Sequence, residues 1–247
     1  MSRPERPLVI AHRGASGYRR ENTLGAYALA VEMGADMIEI DLHRTRDAAT
    51  VVIHDDRPEG LAPGPIGAAT LEEVRGLDLG GGERVPTFGE VLDAFGGAIA
   101  FNVELKRGPT GPYPDLARVA AEEVAARSLL ERTLFSSFED AYLEELGRVA
   151  PRSRRALLLA PKTSERPLER ARAVGAEAIN PWYGLATPDL VGTAHGSGLA
   201  VYVYTVNRDE EMRRLLDLGA DGLFTDYPDR LRRLLPRGES PGPKKCR

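Results

Sequence analysis

The sequence predicts an α/β protein: a (β/α)8 barrel in a single domain, with a short inserted segment after the second strand region. Three observations carry this expectation. Short apolar runs alternate with helix-period segments almost to the end, as parallel strands joined by crossover helices do. Eight such units fit a chain of 247 residues, close to the usual barrel length of about 250. Two of the runs alternate apolar with charged residues, which asks for a polar interior. A doubly wound open sheet gives the same alternation and is the other fold considered.

The elements follow in order. "PLVIAHRG" reads as the first strand. The next helix sets Leu24, Tyr27, Ala28 and Val31 on one face, at i, i+3, i+4 and i+7, with Asn22 or Thr23 as N-cap and Gly34 ending it. "ADMIEIDLHRT" is the second strand and "ATVVIHDD" a further short one. A Gly/Pro-rich stretch over 57–97 holds short helices near 70–76 and 87–95. Strands then fall at "IAFNVELK", "TLFSSF", "RALLLA", "EAINPWY", "LAVYVYTVN" and "DGLFTDYP". Helices fall near 113–128, 139–149, 167–174, 188–195, 209–217 and 228–235. Residues 1–236 form one domain, and the tail 237–247, "RGESPGPKKCR", reads as disordered.

Composition narrows the function classes. With 42% hydrophobic and 28% charged residues, and a net charge of −4, the chain builds an ordinary core and offers no basic surface for nucleic acid or anionic membrane. No run reaches the roughly 18 apolar residues of a membrane span. The first residues, "MSRPERPLVI", lack a secretory pattern, so the expected location is cytoplasmic, without stable membrane insertion. The single cysteine, Cys246, lies in the tail and has no internal partner.

The chemistry is concentrated in a few strings. In "MIEIDLH", Glu39, Asp41 and His43 share one strand face, and Ile38, Ile40 and Leu42 share the other. In "FNVELK", Asn102, Glu104 and Lys106 oppose Val103 and Leu105. A barrel would turn these carboxylates inward, which is costly unless something neutralises them, as a divalent cation would. Oxygen ligands favour Mg2+ or Ca2+. An antiparallel sheet with one wet face explains the same alternation without a site. His12 in "AHRG" and His54 in "VVIHDD" end strands, where barrel enzymes place catalysts, and can act as base and acid around one centre. Arg13 suits a phosphate oxyanion, unless it merely pairs with Glu21 or Asp55, and Lys106 adds a second cation. Together these point to a phosphoester substrate. His195, in a helix end, needs no role. His43 is read as a polar strand end or as a support for another residue.

From "HRG" to "VVIHDD" the chain resembles the signature region of the glycerophosphodiester phosphodiesterases. "LEEVRGLDLGGGERVPTFGEVL", "FNVELK", "FSSF", "YTVN" and "ADGLFTDYPD" follow in that family's order, over about residues 8–235. The resemblance implies a TIM barrel that releases glycerol 3-phosphate and an alcohol from small glycerophosphodiesters. It implies that Glu39, Asp41 and Glu104 bind one divalent cation, Mg2+ or Ca2+. It makes His12 and His54 the acid/base pair, and Arg13 and Lys106 the phosphate ligands. Attack by the glycerol 2-hydroxyl through a cyclic phosphate is the implied route. The chain departs from the pattern at four places. Arg20 stands where proline is usual, and Ala48 where glycine is. "DRPEGLAPGPIGAAT" replaces the usual stretch after "HD", leaving the head group open. Tyr204 replaces a tryptophan and still offers an aromatic wall to substrate. The alternatives are a lysophospholipase D-like enzyme on lipid, a non-catalytic phosphodiester-binding barrel, and an amidohydrolase, which would need an H-x-H motif absent here. The sequence leaves the oligomeric state open.

Overall fold

The computed structural model describes residues 4–59, 64–162 and 165–236. The tail from 237, with Cys246, and residues 60–63 of the inserted loop lie outside the described residues.

Strands β1 (Leu8–Ala11), β2 (Met37–Arg44), β4 (Ala100–Leu105), β7 (Thr133–Ser137), β8 (Arg154–Leu159), β9 (Ala178–Pro181), β10 (Ala200–Val203) and β11 (Gly222–Thr225) pair in parallel in that order. The sheet closes because β1 also pairs with β2, Ile10 opposite Met37 and Ala11 opposite Ile38. That closure excludes the open doubly wound sheet and makes the fold a (β/α)8 barrel. The strands outside that ring are β3 (Thr50–Val52), antiparallel to β2, and β5 and β6, which form a hairpin (Arg107–Gly108 with Gly111–Pro112).

Helices α1 (Leu24–Glu32), α2 (Leu71–Arg75), α3 (Phe88–Phe95), α4 (Leu116–Ala126), α5 (Asp140–Val149), α6 (Pro167–Ala173), α7 (Pro188–Gly196), α8 (Asp209–Asp217) and α9 (Pro228–Leu234) lie close to the expected ranges. Their starts follow sequence-local chemistry. Thr70 with Glu73 and Thr87 with Glu90 form capping boxes, each supplying partners to N–H groups that a helix start leaves bare. The hairpin β5–β6 was not expected; it delays α4 to Leu116.

Two expectations are corrected. In α1 the buried residues are Ala26, Tyr27 and Ala30, while Leu24 is exposed. The small alanines let the helix approach the strands closely, and Leu24 sits on the first turn at the barrel mouth. His54 lies just beyond the end of β3, after Ile53, and β3 is not a barrel strand. The β2–β3 hairpin climbs past the rim and β3 returns toward it, so that Ile53 N–H donates to the Asp41 carbonyl. His54 therefore reaches the barrel's C-terminal end from above.

The alternation along each strand builds two layers. Ile38, Ile40, Leu42, Val103 and Leu105 belong to the large core between strands and helices. Inside the barrel, the lower end is plugged by Ile10, Met37, Leu134, Ala156, Ala178, Ala200, Tyr202 and Phe224. Two residues further along the same inward faces stand Glu39, Asn102, Ser136 and Asn180, all buried. The interior thus changes from apolar to polar toward the C-terminal ends of the strands, which is where the site forms.

Candidate active site

The turn after β1 explains why "HRG" is bulky, charged and then empty. Arg13 and Gly14 both take left-handed backbone conformations, with φ of 56° and 84°. At Gly14 an added Cβ would lie 2.7 Å from the Ala26 backbone, so only glycine fits. The turn directs the Arg13 N–H to Glu39 Oε2 at 2.8 Å. Asn22, buried with φ of 55°, donates from Nδ2 to Asp41 Oδ2 at 2.8 Å and accepts from the Tyr27 hydroxyl. Thr23 caps α1. The "ENT" string is therefore a brace for a carboxylate.

Glu39, Asp41 and Glu104 each offer an oxygen, and these three atoms lie within 4.8 Å of one another. Burial, followed by the Asp41 and Glu104 charges, pushes the Glu39 carboxyl well above the usual range. Asp41 is held below it: burial opposes ionisation, but Lys106, Arg13, His54 and Asn22 outweigh it. Asp41 Oδ1 is buried and makes no hydrogen bond among the described residues, though the Lys106 ammonium lies 3.4 Å from it. A buried carboxylate oxygen without a hydrogen bond, beside a carboxyl that resists ionisation, fits a hard divalent cation, whose charge would offset both.

Both expected cations face the same space. Lys106 Nζ lies 2.8 Å from Glu104 Oε1 and 3.4 Å from Asp41 Oδ1. Arg13 pairs with Glu21 at 2.9 Å, and its Nε lies 3.1 Å from Asp41 Oδ2. Of the two salt bridges weighed for Arg13, the one to Glu21 forms, and Asp41 joins it.

His12 and His54 each have a carboxylate partner. His12 Nδ1 lies 2.7 Å from Asp226 Oδ1. A carboxylate only accepts, so Nδ1 carries a proton and Nε2 faces the cavity, 3.5 Å from the Thr205 hydroxyl. Asp226 is itself fixed by Asn207 Nδ2 at 2.5 Å and Ser16 Oγ at 2.9 Å. His54 Nδ1 lies 2.8 Å from Asp55, which is exposed. The His54 carbonyl accepts from His43 Nε2 at 3.1 Å. Burial lowers His43 to a pKa of about 4, so a neutral ring braces His54; it is more than a polar strand end. His195 closes α7 on Asp221 at 2.8 Å, away from this cavity.

The cavity has a volume of about 180 Å³. His12, Arg13, Glu39, His54, Glu104 and Lys106 line its mouth and one side. Phe138, Leu158, Tyr204 and Phe224 line the other. Tyr204 is an aromatic wall, stacked edge-on with Phe138 and Phe224. Its hydroxyl donates to the Leu159 carbonyl at 2.9 Å, which draws the polar tip away from the cavity. A second cavity of about 280 Å³ shares His54, Glu104, Lys106 and Phe138 and continues outward past Asp55, Asp56 and Glu139.

Every residue expected in the site from the sequence thus meets here, and His195, expected to have no role, lies elsewhere. Residue reasoning missed Asn22, Asp226, Asn207 and Ser16. All but Ser16 lie in strings already conspicuous, "ENT", "YTVN" and "TDYPD", but nothing in a lone string tells which distant side chain it will hold.

The model of the glycerophosphoryl diester phosphodiesterase family matches residues 12–230. A glycerophosphodiester phosphodiesterase of Caldanaerobacter subterraneus subsp. tengcongensis is 35% identical, over 94% of this chain and 98% of that protein. One from Bacillus subtilis strain 168 is 33% identical, over 92% and 85%. The solved structure of an Oleispira antarctica phosphodiesterase in complex with the product sn-glycerol-3-phosphate has a TM-score of 0.80 at 27% identity, over 92% of this chain and 96% of that one.

Proposed function

The chain belongs to the glycerophosphoryl diester phosphodiesterase family, and from that premise we propose how it hydrolyses glycerophosphodiesters to glycerol 3-phosphate and an alcohol. The observation that carries the reading is one cavity holding three carboxylates, two cations and two carboxylate-paired histidines.

Glu39, Asp41 and Glu104 hold one divalent cation, Mg2+ or Ca2+, which when bound supplies positive charge for the phosphate oxygens. Arg13 and Lys106 bind the same oxygens and stabilise charge that grows on them as phosphorus is attacked. His12 is the base. Asp226 holds its proton on Nδ1, leaving Nε2 free to take the proton of the glycerol 2-hydroxyl as that oxygen bonds to phosphorus. His54 is the acid. It stands between the inner and outer cavities, and it gives a proton to the alcohol oxygen as the ester bond breaks. The cyclic phosphate that remains is opened by water with the two roles reversed. Tyr204 and Phe138 bound the substrate on the side away from the charges. The outer cavity receives the departing alcohol.

The test compares leaving groups. With glycerophosphoethanolamine, His12→Ala and His54→Ala each lower kcat by roughly 10²-fold or more. With a glycerophospho-p-nitrophenyl ester, whose leaving group needs no proton, the His54→Ala loss shrinks and the His12→Ala loss stays. The reverse pattern exchanges the roles. Near-wild-type turnover by either variant removes that histidine from catalysis. Faster turnover of lysophospholipid than of any glycerophosphodiester would make lipid the substrate.

A further inference from the structure

Asn102 has no part in the scheme above, yet it stands on the floor of the same cavity. It is 1% exposed. Its Oδ1 accepts the Ser136 hydroxyl at 2.8 Å. Its Nδ2 is buried and has no hydrogen-bond partner among the described residues. An amide donor shut away from bulk water without a partner is destabilising, so its partner comes from whatever fills the cavity. Ser136 fixes the orientation: with Oδ1 engaged, the two N–H bonds are directed into the space. The carboxylates agree with this. Glu39 is directly opposite Asn102 in the β2–β4 register, and an N–H face is favoured over a carbonyl on that side.

The floor is two-sided. Asn102 and Ser136 form a polar half, and Leu158 and Phe224 form an apolar half. Glycerol has the matching character, hydroxyl oxygens along a short C–H backbone. The phosphate must lie higher, between Arg13, Lys106 and the histidines. With the 2-hydroxyl at His12, the terminal hydroxyl is the group left to reach the floor. We propose that Asn102 is a specificity residue, its Nδ2 donating to the terminal hydroxyl oxygen of the glycerol moiety, with Ser136 as the residue that positions the amide. This assignment rests on the glycerophosphodiester reading, and it sets which end of the substrate enters first: glycerol goes down into the barrel and the alcohol faces out.

The test is a cycle between residue and ligand. Binding of glycerol 3-phosphate and of propane-1,2-diol 1-phosphate, which lacks only the terminal hydroxyl, is measured by calorimetry on wild type and Asn102→Ala, both loaded with divalent cation. Wild type should prefer glycerol 3-phosphate about tenfold or more, the ratio equivalent to about 1.4 kcal/mol. Asn102→Ala should lose most of that preference by binding glycerol 3-phosphate more weakly, while its affinity for the deoxy ligand barely changes. Ser136→Ala should lose part of it. Cation titrations of the unliganded variants should match wild type. Equal discrimination by wild type and Asn102→Ala overturns the proposal. So does a weakened cation affinity in Asn102→Ala with discrimination intact, because the amide would then serve Glu39. Should Asn102→Ala fail to fold, Asn102→Ser, which keeps a small polar side chain too short to reach, answers the same question. Wild-type turnover of glycerophosphoethanolamine is measured alongside, and its absence would count against the function and not against Asn102 alone.

Discussion

The side chains that carry charge were legible in the sequence because strand alternation assigns faces without knowledge of the fold. Glu39, Asp41, Glu104 and Lys106 needed only the period of two. Their partners were not legible, because they are distant in sequence: His12 and Asp226 are 214 residues apart. That pair supports two predictions. Asp226→Asn presents an amide to Nδ1 and disturbs the tautomer that leaves Nε2 free, so kcat should fall by roughly 10²-fold with a smaller change in KM. An unchanged kcat would mean that the cavity alone orients His12. The second prediction concerns stability. Burial, the largest influence on Asp226, opposes its ionisation, yet His12, Asn207 and Ser16 together hold the carboxyl below its usual range. A carboxyl depressed in the folded state contributes stability above its unfolded pKa, near 4, and loses it as pH falls through the lower folded value. Unfolding free energy of wild type and Asp226→Asn, measured by urea titration, should therefore converge below about pH 4 and differ at neutral pH. A gap independent of pH would show that the ionised form is not what the fold selects.

At the scale of elements, helix ranges were legible because caps and periodicity are local, and the buried face of α1 was not, because it depends on how near the strands lie. The hairpin between β2 and β3 shows the same division. Ala48 was recognisable as standing where glycine is usual, but only the backbone shows the cost: its φ is 68°. An L-residue in that region is strained by about 1–2 kcal/mol, and glycine is not. The turn is closed by the Ala48 N–H on the Thr45 carbonyl at 3.1 Å, a bond that glycine keeps. Ala48→Gly should then stabilise the protein by roughly 0.5–1 kcal/mol after the greater freedom of glycine in the unfolded chain is subtracted. A higher urea midpoint at constant slope would show this; a lower midpoint would mean that the hairpin bears no strain. Because the turn keeps its closing hydrogen bond and β3 still delivers His54, relief of this strain should leave kcat unchanged.

The whole barrel was legible as eight βα units, but not as a closed ring, since closure is decided where β1 meets β2 and no string announces it. The β2–β4 pairing sets Asp41 opposite Glu104 and Glu39 opposite Asn102, and closure matters for function because it places His12, at the end of β1, beside them. The cluster's charge is then a property of the entire fold: only the closed barrel assembles the ligands, and the unfolded chain scatters them. A cation that binds the folded state alone stabilises it by mass action, about 2.7 kcal/mol at a hundred times its dissociation constant. For a chain of 247 residues, each kcal/mol moves the melting midpoint by about 2–4 °C. Saturating Mg2+ or Ca2+ should therefore raise the midpoint of the chelator-treated protein by roughly 5–10 °C, the larger shift naming the preferred ion. The rise should be steeper at higher pH, because the ligands must be ionised to bind. Glu104→Gln should abolish most of it, and Asp226→Asn, which touches none of the three carboxylates, should retain it. If neither ion moves the midpoint of wild type, the three carboxylates are not a cation site. Lys106 and Arg13 would then have to neutralise Asp41 and Glu104 unaided, with Glu39 kept as a neutral acid.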